Sequence, residues 1–234
     1  MKKKILVTGA SRGLGFNITR KYLENGETVF AGARDITSEK LQALKENYPD
    51  TLIPITLDVT DTASVNAAAK SIGSYTEHLD VIINNAAIHS PTSFEILERA
   101  DIDDCMATYD VNSLGPLRVV KACLSLIRNG DGAKIINISS ESGSIGACGR
   151  DREFDYCMTK AALNMGTKLL ANYLNKDKIL VLAVHPGWMR TDMGGPNAHL
   201  DPYEAACQLV ELFEKRNTLD GPIFIDNEGE EYPW

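Results

Sequence analysis

Tyr156 and Lys160 stand four residues apart, downstream of the serine pair Ser139-Ser140. On a helix, an i, i+4 spacing puts phenol and ammonium on one face. A cation so placed favours phenolate over phenol, which eases passage of the tyrosine proton at neutral pH. The chain opens with a short apolar run followed by Thr8-Gly9-Ala10-Ser11-Arg12-Gly13-Leu14-Gly15. Glycines where a strand turns into a helix let the backbone bend sharply and approach a pyrophosphate, whose charge meets the helix N-terminus. A tunable proton donor and a dinucleotide cradle in one chain imply hydride transfer. The plainer reading of the turn is a tight β-α loop, and its GxxxGxG spacing differs from the commoner GxGxxG.

The elements that must position these groups show as alternation. Ile- and Val-rich runs at 5–7, 28–31, 52–57, 81–83, 135–138, 179–184 and 223–225 barely alternate in polarity. Parallel strands covered on both faces have this pattern. Helix-length amphipathic stretches lie between them, near 14–25, 38–47, 62–72, 112–128, 157–175 and 202–215. Asp61-Thr62 and Asp201-Pro202 fit the starts of the third and last helices. The alternation predicts an α/β, Rossmann-type doubly wound parallel sheet of about seven strands with helices on both faces. No linker or repeat divides residues 1–234, which read as a single NAD(P)-binding domain with substrate loops at 88–99, 141–155 and 188–201.

Composition narrows the partners. The apolar fraction is 44% and the charged fraction 24%, ordinary for a globular protein. A net charge of -8 argues against nucleic acid and against anionic membranes. The apolar run after Lys2-Lys3-Lys4 stops at Thr8, short of the roughly 7 to 15 residues of an export signal. No stretch approaches the ~20 apolar residues of a membrane helix. Five cysteines without a CxxC pair, and four histidines without ligand spacing, argue for reduced thiols in the cytoplasm and for no metal. Small molecules remain as partners.

The end of the second strand, Ala31-Gly32-Ala33-Arg34, bears on cofactor choice. NAD sites often place a carboxylate here for the ribose hydroxyls, which would repel a 2′-phosphate. Ala33 lacks one, while Arg34 and Arg12 can embrace a phosphate. The expectation is NADPH/NADP rather than NAD. Asp35, slightly late for the ribose, complicates it, and both arginines could simply sit on a solvated surface. Asp58-Val59 can accept from an adenine amino group, and Asn84-Asn85-Ala86-Ala87 lines the strands' carboxyl ends. Either segment also suits an ordinary loop.

With these pieces assembled, the chain resembles the short-chain dehydrogenase/reductase family across nearly all its length. The pieces in order are Thr8 to Gly15, Asp58-Val59, Asn84-Asn85-Ala86, Asn112, Ile136-Asn137-Ile138-Ser139-Ser140, Tyr156-x-x-x-Lys160 and Pro186-Gly187. Ala87 stands where the family has glycine. The gap from Ser140 to Tyr156 is longer than the family norm. That gap, the ending from Gly221 to Trp234 and the segment from Pro186 to Pro196 are similar to the C-factor and sniffer-type carbonyl reductase subgroup.

The resemblance implies that Tyr156 gives its proton to a carbonyl oxygen as hydride arrives, with Lys160 supporting it and holding the nicotinamide ribose. Ser140, favoured over Ser139 by the family pattern, would hydrogen-bond the substrate oxygen. Asn112 would hold a water linked to Lys160, unless it is a helix cap. Cofactor contacts fall to Gly9, Ser11, Arg12, Gly13, Leu14, Gly15, Arg34, Asp58, Val59, Asn85, Ala86, Ala87, Tyr156, Lys160, Pro186, Gly187, Trp188, Met189 and Thr191. The family's four-helix packing implies a homodimer or tetramer through 112–128 and 157–175, where Leu114, Leu117, Ala161, Ala162 and Gly166 offer apolar or small surface.

The expected activity is NADPH-dependent reduction of a small-molecule aldehyde or ketone to an alcohol. An NAD-dependent alcohol dehydrogenase and a cofactor-sensing regulatory protein with little turnover are the competing readings. The intact Asn112, Ser140, Tyr156 and Lys160 set argues against the second of these. Trp188, Met189, Met193, Phe94 and Phe154 can furnish an apolar wall; Arg150 and Arg152 either greet an anionic substrate or solvate their loop. His89, after the Asn-Asn turn, could reach substrate but reads first as a loop residue; His185 reads as a packed strand end rather than a proton shuttle, and Cys157 as facing away from Tyr156.

Overall fold

In the computed structural model, which describes residues 2–234, seven strands hydrogen-bond into one parallel sheet with the order β3-β2-β1-β4-β5-β6-β7. The strands are β1 (Lys4–Thr8), β2 (Thr28–Ala33), β3 (Leu52–Thr56), β4 (Val81–Asn84), β5 (Lys134–Ile138), β6 (Leu180–Val184) and a short β7 (Phe224–Ile225). The predicted doubly wound α/β sheet is present. Strand order reverses between β1 and β4, and the crevice at such a switch point is where sheets of this kind bind ligands.

The helices are α1 (Gly13–Glu24), α2 (Glu39–Asn47), α3 (Thr62–Gly73), α4 (Cys105–Tyr109), α5 (Gly115–Ala122), α6 (Leu124–Arg128), α7 (Phe154–Leu174) and α8 (Pro202–Lys215). Successive strand residues point to opposite faces. Ile5 and Val7 therefore meet Ile18 and Tyr22 of α1, Leu41 of α2 and Leu209 of α8. Leu6 on the other face meets Val65 of α3, Val119 of α5, Ile127 of α6 and Leu174 of α7. Both faces are covered, which explains why the strands do not alternate in polarity.

Two helical boundaries differ from expectation. The single helix predicted at 112–128 begins earlier, as α4, and passes through a π-turn at Asp110–Leu114 before α5 and α6. Such a turn inserts a residue into the helical ladder and rotates the helix beyond it. Gly115 comes next; a Cβ there would lie 2.9 Å from the Val59 side chain, so only glycine lets the helix pass this close to the end of β3. The helix predicted to start at 157 starts at Phe154, and Glu153 before it takes a left-handed conformation, φ 59°. Tyr156 consequently lies in the first turn of α7.

Candidate active site

The carboxyl ends of β1, β4, β5 and β6 converge on the glycine turn. The Thr8 hydroxyl accepts from the Asn85 and Ala86 amides at 3.0 and 3.1 Å. Asn85 Nδ2 donates to the carbonyls of Thr8 and Gly9, so its side chain ties the turn to β4 rather than facing the groove. A Cβ on Gly15 would sit 2.4 Å from the Gly9 carbonyl oxygen, which is why this position is glycine.

Several features of the groove fit a dinucleotide. Arg12 precedes α1 without a side-chain cap, and no acidic residue lies in the helix's first turn. The initial amides are thus free of a side-chain partner and suit an anion. Gly13 has φ 57°, and the nearest side chain to an added Cβ is Thr191, 3.8 Å away. The turn and the 188–201 loop therefore face each other across the groove. Arg12 is exposed and pairs with Asp192 at 3.2 Å. Arg34 is exposed at the end of β2. Asp35 accepts from the Thr37 hydroxyl and amide at 2.6 and 2.8 Å, and these bonds hold its carboxyl below the usual range. Asp58 is held the same way by Thr60. Among the other expected contacts, Leu14, Val59, Pro186 and Met189 are buried, whereas Ser11, Ala86, Ala87, Gly187 and Thr191 are half-exposed and Trp188 is exposed, its indole donating to the Gly194 carbonyl.

Ser139, Ser140, Tyr156 and Lys160 gather where β5 meets α7. Ser139 donates to Asn164 Oδ1 at 2.6 Å and is committed to the core. Ser140 is half-exposed, accepts from the Ser142 amide at 3.1 Å and stands close enough to the Tyr156 phenol to bear on its pKa. Burial pushes that phenol above its ordinary pKa, and the nearby Ser140 hydroxyl pulls only partly back. Lys160 Nζ donates to the Ile138 carbonyl at 2.7 Å and lies 5.3 Å from the Tyr156 ring centroid. Burial pushes its pKa down to about 7. The pocket thus favours the neutral form of each group, opposing the phenolate that i, i+4 spacing alone suggests. Asn112 lies in the π-turn and is wholly buried. Its Nδ2 donates to the Ile88 carbonyl and Thr159 Oγ1, and its Oδ1 accepts from the Ile88 amide. This side chain staples the loop after β4 to α7; only a lone pair of its oxygen is left for a water.

Three features escaped the sequence. Asp155 is buried and accepts from the Ser90 amide at 2.7 Å, Ser93 Oγ at 2.6 Å and Thr108 Oγ1 at 3.3 Å. Burial would raise its pKa, but the Ser93 and Ser90 bonds outweigh burial and hold it below the usual value. It latches the 88–99 loop and α4 to the residue beside Tyr156. His89 stacks on the Tyr156 ring, with centroids 4.1 Å apart and planes 10° apart, and also on Phe94. Arg150 pairs with both Glu141 and Glu153, so it braces its own loop instead of awaiting a substrate. No periodicity reveals such pairings; the one local hint is an acid in a helix's first turn.

Comparison with known proteins agrees with this geometry. Residues 3–200 match the model of the family described as short chain dehydrogenase. The C-signal protein of Myxococcus xanthus is 34% identical over 156 residues, covering 67% of this chain and 93% of its own. The carbonyl reductase Sniffer of D. melanogaster superposes with a TM-score of 0.91 at 28% identity, covering all of both chains. An NADPH-bound carbonyl reductase from chicken fatty liver superposes with a TM-score of 0.88 at 30% identity, covering 100% of this chain and 99% of that one. The subgroup that the sequence resembles is represented among them.

The Asp155 latch yields a stability prediction. Asp155→Ala removes three bonds to a buried carboxylate and is expected to cost about 1.5–3 kcal/mol in urea unfolding at pH 7. Because the folded pKa is depressed, the stabilisation is complete above the unfolded value of about 4 and is lost as pH falls through the folded one. The gap between wild type and variant should narrow below about pH 4; a gap that stays constant or widens contradicts the assignment.

Proposed function

Because this chain belongs to the short-chain dehydrogenase family, we propose that it is an NADPH-dependent reductase of small-molecule aldehydes or ketones. The observation that carries this reading is the gathering, where β5 meets α7, of half-exposed Ser140, buried Lys160 and a nearly buried Tyr156 phenol whose burial favours the protonated form. A carbonyl oxygen gaining charge needs that protonated form. The bound dinucleotide would supply hydride from the groove between the glycine turn and Thr191. Tyr156 hands its hydroxyl proton to the substrate oxygen, while Ser140 hydrogen-bonds the same oxygen where charge grows. Lys160, with a pKa near neutrality, is suited to restoring the phenol's proton after turnover. Asn112 keeps the loop after β4 in register with α7.

Preference for NADPH is supported by Ala33 at the end of β2, by exposed Arg12 and Arg34, and by an Asp35 already satisfied by Thr37. The NADPH found in the chicken liver reductase points the same way. A cytosolic setting belongs to the same reading, supported by five free cysteines. Among the described residues no helix is long and apolar enough to cross a membrane. A homodimer is supported by exposed apolar side chains on neighbouring helices, Met106 and Leu117 on α4 and α5 with Met165 and Leu169 on α7.

Three measurements test these statements. Tyr156→Phe should lower NADPH-dependent turnover of a ketone panel by at least about 10²-fold while still binding NADPH; near-normal turnover refutes the acid assignment. The double variant Arg12→Ala/Arg34→Ala should raise KM for NADPH about tenfold or more, and that for NADH little. An undiminished preference for NADPH removes the phosphate-embracing role. Light scattering should give twice the chain mass at micromolar concentration, and a monomer there rules out the dimer.

A further inference from the structure

His89 is absent from the groups assigned above, yet its surroundings fix its tautomer. The Ser93 hydroxyl has one hydrogen, and it goes to Asp155 Oδ1 at 2.6 Å. The 3.1 Å contact between Ser93 Oγ and His89 Nδ1 must then be a donation from the imidazole. Neutral His89 therefore carries its hydrogen on Nδ1 and presents a lone pair at Nε2. Among the described residues Nε2 has no hydrogen-bond partner, and it is not one of the solvent-sealed orphan atoms, so it opens to solvent beside Tyr156. The charges around the ring are Asp155, Lys160 and Arg150, with Glu153 Oε1 4.0 Å from Nδ1. Burial, opposed by Asp155 and reinforced by Lys160 and Arg150, holds the imidazole below its ordinary pKa, so the neutral form prevails at neutral pH.

We propose that His89 is a specificity-determining residue whose Nε2 accepts a hydrogen bond from a hydroxyl beside the reacting carbonyl, making α-hydroxyketones and α-hydroxyaldehydes the favoured substrates. The proposal rests on the carbonyl-reductase reading and names its substrate class. An imidazole stacked 4.1 Å from the Tyr156 ring lies next to the group that protonates the carbonyl oxygen, so the substrate carbon within its reach is the carbonyl's neighbour. A hydroxyl there gives Nε2 the donor it lacks. An ether there confronts it with another lone pair, and displacing water from Nε2 without replacing its hydrogen bond is penalised. Exposed Phe94, stacked on the same imidazole, extends a flat wall along which an aryl substituent can lie.

The test compares 2-hydroxyacetophenone, 2-methoxyacetophenone and acetophenone with the NADPH holoenzyme. Wild type should favour the hydroxyketone over the methoxyketone by at least about tenfold in kcat/KM. His89→Phe keeps the aromatic stack but not the acceptor. It should bring that ratio to within about twofold, whatever the change in acetophenone turnover. Nitrogen-15 NMR of histidine-labelled protein with NADP+ supplies the readout independent of turnover. The signal lost in His89→Phe should show the Nδ1–H tautomer, and its Nε2 resonance should move with the hydroxyketone but not with the methoxyketone. A ratio unchanged in His89→Phe, a wild type indifferent to the hydroxyl, or an Nε2 resonance that ignores the hydroxyketone overturns the proposal. Failure of the underlying reading is distinct: if wild type reduces none of the three ketones, the reductase assignment falls while the NMR response still decides the role of His89.

Discussion

Two ionisable side chains one helical turn apart must share a pocket that excludes water. Lys160 and Tyr156 are 2% and 9% exposed. An unpaired charge in such a place costs several kcal/mol, so the dry pocket holds the phenol protonated and brings the lysine near neutrality. The surrounding structure answers that demand. Gly143 closes over Lys160; a Cβ there would lie 2.7 Å from the lysine's carbonyl carbon. Asn164 of α7 accepts from Ser139 and donates to the Gly143 carbonyl, and Thr167 accepts from Asn137 of β5. These polar groups are buried, and their mutual bonds compensate the loss of water, so α7 is fixed to the sheet without an apolar seam alone.

The cofactor side obeys a steric rather than an electrostatic constraint. The glycine turn is held by Thr8 and Asn85 on one flank and by the contact of Gly15 with the Gly9 carbonyl on the other. Its amides therefore point in fixed directions before any ligand arrives. A preformed cradle spares the binding step the entropy of ordering a loop.

Much of the fold could be read from the chain because its strands are continuous Ile- and Val-rich runs, which strongly favour buried parallel strands. Boundaries were harder where sequence signals are local. Asp101 to Asp104 disguise the approach to α4, and no composition marks the π-turn at Asp110–Leu114, which immediately precedes the close packing of Gly115 on Val59. Glu153 starts α7 from a left-handed conformation without a side-chain cap, so the usual start signal is missing. At the site, motif order located Ser140, Tyr156 and Lys160 but could not say which side chains were already occupied. Asn85, Asp35 and Arg150 have the right types for ligand contact and spend their hydrogen bonds on neighbouring protein. Residue type fixes what a group can do; only the fold fixes whether it is free.

That distinction bears on how recognition and chemistry are linked. In many enzymes of this architecture the loops beyond the strand ends can vary while the scaffold holds the reacting groups. Here the 88–99 loop is bonded to the start of α7 at three points: Ser90 and Ser93 to Asp155, and the Ser93 carbonyl to the Glu153 amide. Asn112 adds a fourth link through Ile88 and Thr159. A displacement of the loop must therefore be transmitted to the first turn of α7, where Tyr156 sits. On the proposed reading, Tyr156 and the loop wall beside it are mechanically linked, so a change in the loop that alters substrate choice is also felt at the proton donor.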